Sequence, residues 1–144
     1  MSGDTSFVRM VSTGGMTLRI AVRPGDPRRT PLLLVNGIGV GLESFDTLVE
    51  AVDPAVTVVR FDPPGAGGSP LCGRPYRMRG LALAMTGVLD ALGHERVDVL
   101  GISWGGAVAQ QFAHTAGDRC RRLVLVATGT GSLMVPAGPG VLAT

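Results

Sequence analysis

One serine of the chain lies in a setting that suits nucleophilic chemistry. Residues 101–105 read Gly-Ile-Ser-Trp-Gly, the pattern Gly-x-Ser-x-Gly, and they follow the apolar run Val97–Leu100. Between a strand and a helix, this pattern is typical of a sharp turn that holds the serine in a strained backbone with its hydroxyl exposed. Gly101 and Gly105 let neighbouring backbone approach without a Cβ clash. The sequence therefore predicts Ser103 as a catalytic nucleophile.

A serine that attacks a carbonyl carbon also needs N–H donors for the negative charge that develops on the carbonyl oxygen. The start of the helix after Ser103 can supply the N–H of Trp104. The glycine-rich loop Asn-Gly-Ile-Gly at 36–39 can supply the N–H of Ile38, and Gly37 allows the loop to approach closely. We expect Ile38 and Trp104 to form an oxyanion hole. A tight glycine turn without chemistry is the alternative interpretation of this loop.

Alternating apolar segments predict the elements that position these loops. We expect strands at 16–22, 32–35, 56–61, 97–100 and 123–127 and helices at 44–52, 78–92 and 105–114, with Gly93 as a helix C-cap. This alternation indicates an α/β domain with a mostly parallel sheet flanked by helices. The loops from Asn36, Asp62, Ser103 and Thr128 then share the carboxyl edge of the sheet, where such sheets bind ligands. We expect the loop from Asp62 to shape a turn only.

The chain does not offer Ser103 a general base in the usual place. A nucleophile of this kind is followed along the chain by an acid and then by a histidine, whereas here His114 precedes Asp118 after the serine. His114 is about 16 Å from Ser103 along a helix that rises 1.5 Å per residue. Asp118 and His94 precede strands and are predicted at the amino edge of the sheet. We therefore expect the acid and the histidine of a catalytic triad to be absent from this chain.

Several segments around the serine motif carry a family resemblance. They are Val-Asn-Gly-Ile-Gly at 35–39, Pro-Tyr-Arg at 75–77, Ser-Trp-Gly-Gly at 103–106, Gln-Gln-Phe-Ala-His at 110–114 and Met-Val-Pro at 134–136. Together they resemble the α/β-hydrolase superfamily, and more narrowly the intracellular poly(3-hydroxyalkanoate) depolymerases. The resemblance implies an α/β-hydrolase fold and a serine hydrolase of carboxylic esters. Ser103 would form an acyl-enzyme during hydrolysis of poly(3-hydroxyalkanoate) or 3-hydroxyacyl esters.

The resemblance also sets expectations for domain organisation and partners. Residues 1–144 would be the N-terminal portion of one α/β-hydrolase domain, with its core at 31–128 and a Gly- and Pro-rich tail at 129–144 leading to a lid. We expect the fold to be truncated after the strand that follows the nucleophile helix, and the chain to be weakly active or inactive. Strand 123–127 would then be an exposed apolar edge that favours self-association. An ester substrate and a polyester granule surface are the expected partners, with no cofactor.

Composition excludes several other classes of protein. All thirteen basic residues of the 144-residue chain are arginine, which excludes lysine-dependent phosphate loops and Schiff-base chemistry. The basic residues are dispersed and the net charge is only +2, so we expect no nucleic-acid partner. Cys72 and Cys120 lack metal-binding spacing, so no metal site is expected. No run is long and apolar enough for a membrane span and no signal-peptide pattern opens the chain, so we expect a cytoplasmic protein.

Two interpretations compete with a serine hydrolase. A dinucleotide-binding half-domain would use the loop from Gly37 and, 25 residues later, Asp62, but the third glycine of Gly-x-Gly-x-x-Gly would fall at Leu42. A non-catalytic fragment or interaction module is the other, because the acid and the histidine are missing. Reaction with a fluorophosphonate probe separates this second interpretation from a serine hydrolase.

Overall fold

The computed structural model describes residues 6–129 as six strands and three α-helices. Two short 3-10 turns, Leu42–Phe45 and Gly117–Arg119, accompany them. The sequence segments 1–5 and 130–144 lie outside the described residues, including most of the predicted tail and the Met-Val-Pro segment at 134–136. In chain order the elements are β1 Phe7–Thr13, β2 Met16–Arg23, β3 Leu32–Val35, α1 Asp46–Ala51, β4 Val58–Phe61, α2 Met78–Leu92, β5 Val97–Ile102, α3 Trp104–Thr115 and β6 Cys120–Val126.

The strands form one mixed sheet in the order β1-β2-β4-β3-β5-β6. Strands β4, β3, β5 and β6 are parallel to one another, whereas β1 and β2 form an antiparallel hairpin whose second strand pairs antiparallel with β4. The predicted α/β architecture is confirmed. The parallel strands bring the loops after β3, β4, β5 and β6 to one edge of the sheet, because parallel strands share the direction of their carboxyl ends.

Helices cover both faces of the sheet. The larger hydrophobic cluster packs α2 and α3 on one face and includes Val97, Val99 and the fully buried Phe112. The smaller cluster packs α1 on the other face, with Leu100 and Ile102 at its margin. Alternate residues of β5 therefore point to opposite faces, as the two-residue period of a strand requires. Each fully buried large apolar side chain contributes roughly 1.5–3 kcal/mol, so β5 is firmly placed beneath Ser103.

Strand β1 is not among the strands predicted from the sequence, and the core begins before residue 31. Strand β1 joins β2 through Gly14 and Gly15, which have φ of 59° and 76°. A two-residue hairpin turn with positive φ at both positions favours glycine, so the Gly-Gly pair was the available signal. Residues of β2 such as Leu18 and Ile20 are fully buried in the larger cluster.

Other differences concern the ends of elements and one strand's burial. The predicted helix 44–52 is a 3-10 turn followed by the shorter α1, while α2 has the predicted bounds and ends at Gly93 with φ 75°. The apolar run predicted as a strand at 123–127 begins earlier, at Cys120, and ends at Val126. In the described part of the chain, β6 has only β5 as a neighbour, and its side chains from Leu123 to Val126 are 36–47% exposed.

Candidate active site

Ser103 occupies the turn between β5 and α3 in a backbone conformation that side chains rarely adopt. Its φ and ψ are 55° and −120°, and the residue is exposed. Such a conformation costs about 1–3 kcal/mol and is typical of functional positions. The hydroxyl of Ser103 makes no hydrogen bond with the part of the chain that the structure describes. The side chain therefore projects from the carboxyl edge of the sheet, as predicted.

The glycines around Ser103 are required by close backbone packing. A Cβ added to Gly101 would lie 2.7 Å from the carbonyl carbon of Gly105, and one added to Gly105 would lie 2.6 Å from the carbonyl carbon of Val35. These separations are shorter than real Cβ contacts allow. The motif therefore lets the start of α3 press against both β5 and the end of β3.

The loop after β3 lies beside Ser103. A Cβ added to Gly37 would be 4.0 Å from Ser103 Cβ and 4.0 Å from the carbonyl oxygen of Ile102. The next residue, Ile38, is 74% exposed. The structure thus brings together, at the same edge of the sheet, the two loops that the sequence predicts to meet.

Two backbone donors at this edge are not engaged within the described chain. Among residues 6–129, no hydrogen bond uses the N–H of Ile38 or the N–H of Trp104. Trp104 is the first residue of α3, where N–H groups have no acceptor within the helix and the helix dipole is positive. In contrast, the N–H of Gly37 donates to Asn36 Oδ1 over 2.9 Å. The N–H groups of Ile38 and Trp104 are therefore available at this edge to bind a negatively charged oxygen.

Thr128 and Gln110 support this edge, although the sequence predicts no role for either side chain. The hydroxyl of Thr128 donates to the carbonyl oxygen of Ser103 over 2.7 Å. Gln110 Nε2 donates to the carbonyl oxygens of Gly106 and Gly129 over 3.2 and 2.9 Å. The position of Thr128 directly after a predicted strand was the only sequence signal for its proximity. Both contacts join the loop after β6 to the first turns of α3.

Asp62 stabilises the loop after β4 from a fully buried position, as its predicted turn-forming role requires. Its carboxylate accepts hydrogen bonds from Arg19 Nε over 2.6 Å, from the N–H of Leu42 over 2.7 Å and from the N–H of Gly68 over 2.8 Å. The Asp62 carboxylate raises the pKa of the Arg19 guanidinium above its ordinary value. Because Asp62 is fully buried and its carboxylate is engaged by these partners, it is not presented to a nucleotide ribose, which argues against the dinucleotide-binding interpretation.

Both histidines and Asp118 lie away from Ser103. His94 follows α2 and lines an open cavity with Asp118 at the amino edge of the sheet, and His114 is exposed in the last turn of α3. Burial lowers the pKa of His94. The structure therefore brings neither histidine to the serine. Within residues 6–129, no group of three or more histidine, cysteine or acidic side chains could hold a metal ion.

Comparison with known proteins agrees with this geometry. The sequence model of the α/β hydrolase fold family matches residues 30–143, which include Ser103 and the loop from Asn36. The chain belongs to the α/β-hydrolase fold family. The mixed six-stranded sheet flanked by helices is thus part of an α/β-hydrolase fold, and Ser103 lies on its turn between strand and helix.

Individual α/β-hydrolases resemble the chain over about half of their own length. A poly(3-hydroxyalkanoate) depolymerase of Ectopseudomonas oleovorans is 51% identical over 93% of this chain and 47% of that protein. A 2-hydroxy-6-oxononadienedioate/2-hydroxy-6-oxononatrienedioate hydrolase of Klebsiella pneumoniae is 33% identical over 90% of this chain and 46% of that protein. The crystal structure of a hydrolase from Pseudomonas aeruginosa superposes with a TM-score of 0.78 at 30% identity, covering 99% of this chain and 51% of that one.

The α/β-hydrolase chain spans about half the length of the curated relatives it matches. Within the described residues, no helix is both long enough and apolar enough to cross a membrane.

Proposed function

We propose that this chain supplies the nucleophile and the oxyanion hole of a serine hydrolase that cleaves carboxylic esters. The observation that carries the proposal is the strained, exposed position of Ser103 next to two unengaged backbone donors. In the proposed reaction the Ser103 oxygen attacks the ester carbonyl and loses its proton to a base. The alcohol then leaves with a proton, and water hydrolyses the resulting acyl-enzyme.

The oxyanion of each tetrahedral intermediate is proposed to bind to the N–H groups of Ile38 and Trp104. A donor of this kind is worth about 10²–10³ in rate, because it is held in place before charge develops. Gly37, Gly101 and Gly105 support the proposal by allowing the close approach of the two loops.

The proposed substrates are poly(3-hydroxyalkanoate) or 3-hydroxyacyl esters, and a polyester granule surface is the proposed partner. The chain is 51% identical to a poly(3-hydroxyalkanoate) depolymerase and 33% identical to the Klebsiella hydrolase. The higher identity supports the choice of these substrates. The same resemblance supports a cytoplasmic location, which fractionation of cells followed by immunodetection tests.

Labelling of the chain with a fluorophosphonate probe tests the assignment of the nucleophile. We expect covalent modification of Ser103, identified by peptide mass spectrometry, and none in Ser103→Ala. Ser12→Ala serves as the matched control, since Ser12 is an exposed serine of β1. An unlabelled wild-type chain, or equal labelling of Ser103→Ala, would contradict the proposal and favour a non-catalytic interaction module.

Hydrolysis of p-nitrophenyl 3-hydroxybutanoate tests the expectation of weak activity. The chain offers no histidine near Ser103, and a general base is typically worth 10²–10⁴-fold. We therefore expect turnover above the Ser103→Ala background but far below that of a complete serine esterase. Rates typical of a complete esterase would contradict the expectation and require a base from a second chain.

A further inference from the structure

The side chain of Asn36 has an unusual set of partners at the end of β3. It is one of four polar or charged residues that the structure buries among residues 6–129, and it is only 6% exposed. Its Nδ2 donates to the carbonyl oxygen of Gly41 over 2.8 Å and to the hydroxyl oxygen of Ser44. Its Oδ1 accepts the N–H of Gly37 over 2.9 Å. Both ends of the amide are therefore used on the loop that lies beside Ser103.

The side-chain hydrogen bonds of Asn36 tie the two ends of loop 36–41 together. The backbone turns at Ile38 and Gly39, but among the described residues no backbone-to-backbone hydrogen bond joins Asn36 to Gly41. The contact from Asn36 to Gly41 closes the loop, and Gly39, with φ of 71°, supplies the left-handed bend between them. The side chain also occupies the N–H of Gly37, so that the following N–H, that of Ile38, is the first donor left for a ligand.

We propose that Asn36 is a positioning residue: its carboxamide closes loop 36–41 and selects the N–H of Ile38, rather than that of Gly37, as the donor that faces Ser103. The inference rests on the proposed function of this site. Asn36 touches no reacting atom in this scheme and acts only through the backbone of the loop. Its buried amide is suited to the task because it donates from one end while it accepts at the other.

Replacing Asn36 with aspartate separates the role of the donor end of the amide from that of the acceptor end. The carboxylate of Asn36→Asp keeps an acceptor for the N–H of Gly37 but presents a second acceptor to the carbonyl oxygen of Gly41. Protonation converts that second oxygen into a donor, which restores the hydrogen bond to the carbonyl oxygen of Gly41, and the hydroxyl of Ser44 can then donate to the same carboxyl oxygen. Burial favours the neutral form of a carboxyl group, so the pKa of the carboxyl group introduced at position 36 lies above the usual range of aspartate.

Other charged groups near the loop are shared by the variant and the wild type. Glu43 and Asp62 approach Gly41, Arg19 pairs with both acids, and Arg60 donates to the carbonyl oxygen of Leu42. The ratio of the two rates therefore isolates residue 36.

The experiment measures the rate of Ser103 phosphonylation by a fluorophosphonate probe as a function of pH, as the ratio of Asn36→Asp to wild type. We expect a ratio near one at acidic pH and a loss of about tenfold or more at neutral pH, since a misplacement of about 1 Å can cost 10²-fold. Asn36→Ala should be slow at every pH, because its methyl group has no state that restores the bonds.

Thr57→Val is the matched control. Thr57 is also buried, and its hydroxyl accepts the N–H of a loop glycine, Gly25, over 2.9 Å, but it precedes β4 at the opposite edge of the sheet. Loss of the Thr57 hydroxyl should lower the melting temperature of the chain. The ratio of the phosphonylation rate of Thr57→Val to that of the wild type should not depend on pH. A purely structural role of Asn36 predicts the same flat ratio for Asn36→Asp, which would overturn the inference.

Amide hydrogen exchange of the wild-type chain tests the inference without a variant. The N–H of Gly37 should exchange more slowly than the N–H of Ile38, and the reverse order would overturn the proposal. A wild-type chain that is not labelled at Ser103 would overturn the proposed function together with this inference. Normal labelling with a flat Asn36→Asp ratio would overturn this inference alone.

Discussion

The hydroxyl of Thr128 donates a hydrogen bond of 2.7 Å to the carbonyl oxygen of Ser103. The same side chain lies so close to α3 that a Cβ added to Gly106 would be 2.5 Å from Thr128 Cβ. The N–H of Ser103 in turn donates to the carbonyl oxygen of Val126 over 2.9 Å. The end of β6 and the residues after it therefore hold the backbone of the turn that carries the candidate nucleophile.

Thr128→Val should weaken this support with little change in side-chain shape. We expect the free energy of unfolding to fall by about 0.5–1.5 kcal/mol, the net value of one hydrogen bond. Phosphonylation of Ser103 should also slow, because the strained turn loses one restraint. Thr128→Ser, which keeps the hydroxyl, should retain the wild-type labelling rate. Equal rates in Thr128→Val and Thr128→Ser would show that the contact does not position Ser103.

Ser103→Gly should stabilise the fold while it removes the nucleophile. Glycine adopts positive φ at little cost, so the change relieves the strain at φ 55° and ψ −120°. We expect thermal unfolding in the presence of denaturant to show a gain of about 1 kcal/mol. Ser103→Ala, with a Cβ at the same position, should show no such gain. Equal stability of the two variants would contradict the assignment of strain.

Asp62→Asn should destabilise the chain strongly. Arg19 would lose the charged partner of its 2.6 Å contact, and the amide would present a donor to N–H groups that need an acceptor. We expect a loss of about 3 kcal/mol, at the lower end for a broken buried pair because the Arg19 side chain is 21% exposed. Asp26→Asn, at an exposed ion pair with Arg28, serves as the control and should be nearly neutral.

Protonation of His94 should lower the stability of the chain on mild acidification. Burial lowers the pKa of His94 below its ordinary value of 6.5, so the unfolded chain takes up a proton at a higher pH than the folded chain. Stability contributed by neutral His94 is therefore fully present above pH 6.5 and is lost as pH falls from that value through the lower pKa of His94 in the folded chain. Urea unfolding of His94→Gln should show a smaller decrease over this range. An identical pH dependence in wild type and variant would contradict the prediction.

Self-association is expected to involve the exposed edge of β6. Val124 is 47% exposed on a strand that has one neighbour in the described chain, and unpaired strand edges with apolar side chains favour pairing with another chain. Sedimentation velocity should show association of the wild type and a shift of Val124→Lys toward monomer. Val8→Lys, on the opposite edge strand β1, should leave association unchanged. A monomeric wild type at every concentration would contradict the prediction.

The sequence alone determined most of the elements and the edge of the sheet at which their loops meet. Continuous apolar runs identified the buried strand Leu32–Val35 and the start of β5, and helical spacing with Gly93 identified α2 to the residue. These signals are local, because burial on both faces or on one face imposes a period that neighbouring residues carry. The same local pattern placed Ser103 at the carboxyl edge and the two histidines away from it.

Only the tertiary structure decided which polar groups meet across those loops. That Thr128 reaches the Ser103 carbonyl, and that Asn36 leaves the N–H of Ile38 as the unengaged donor, depends on contacts between segments far apart in the chain or on backbone angles. Periodicity does not encode such contacts, because a hydrogen bond is decided by the position of its partner within tenths of an ångström. For the same reason β6, whose apolar run is typical of a buried strand, is an exposed edge: burial depends on which neighbour lies beside it, and in the described chain that is β5 alone.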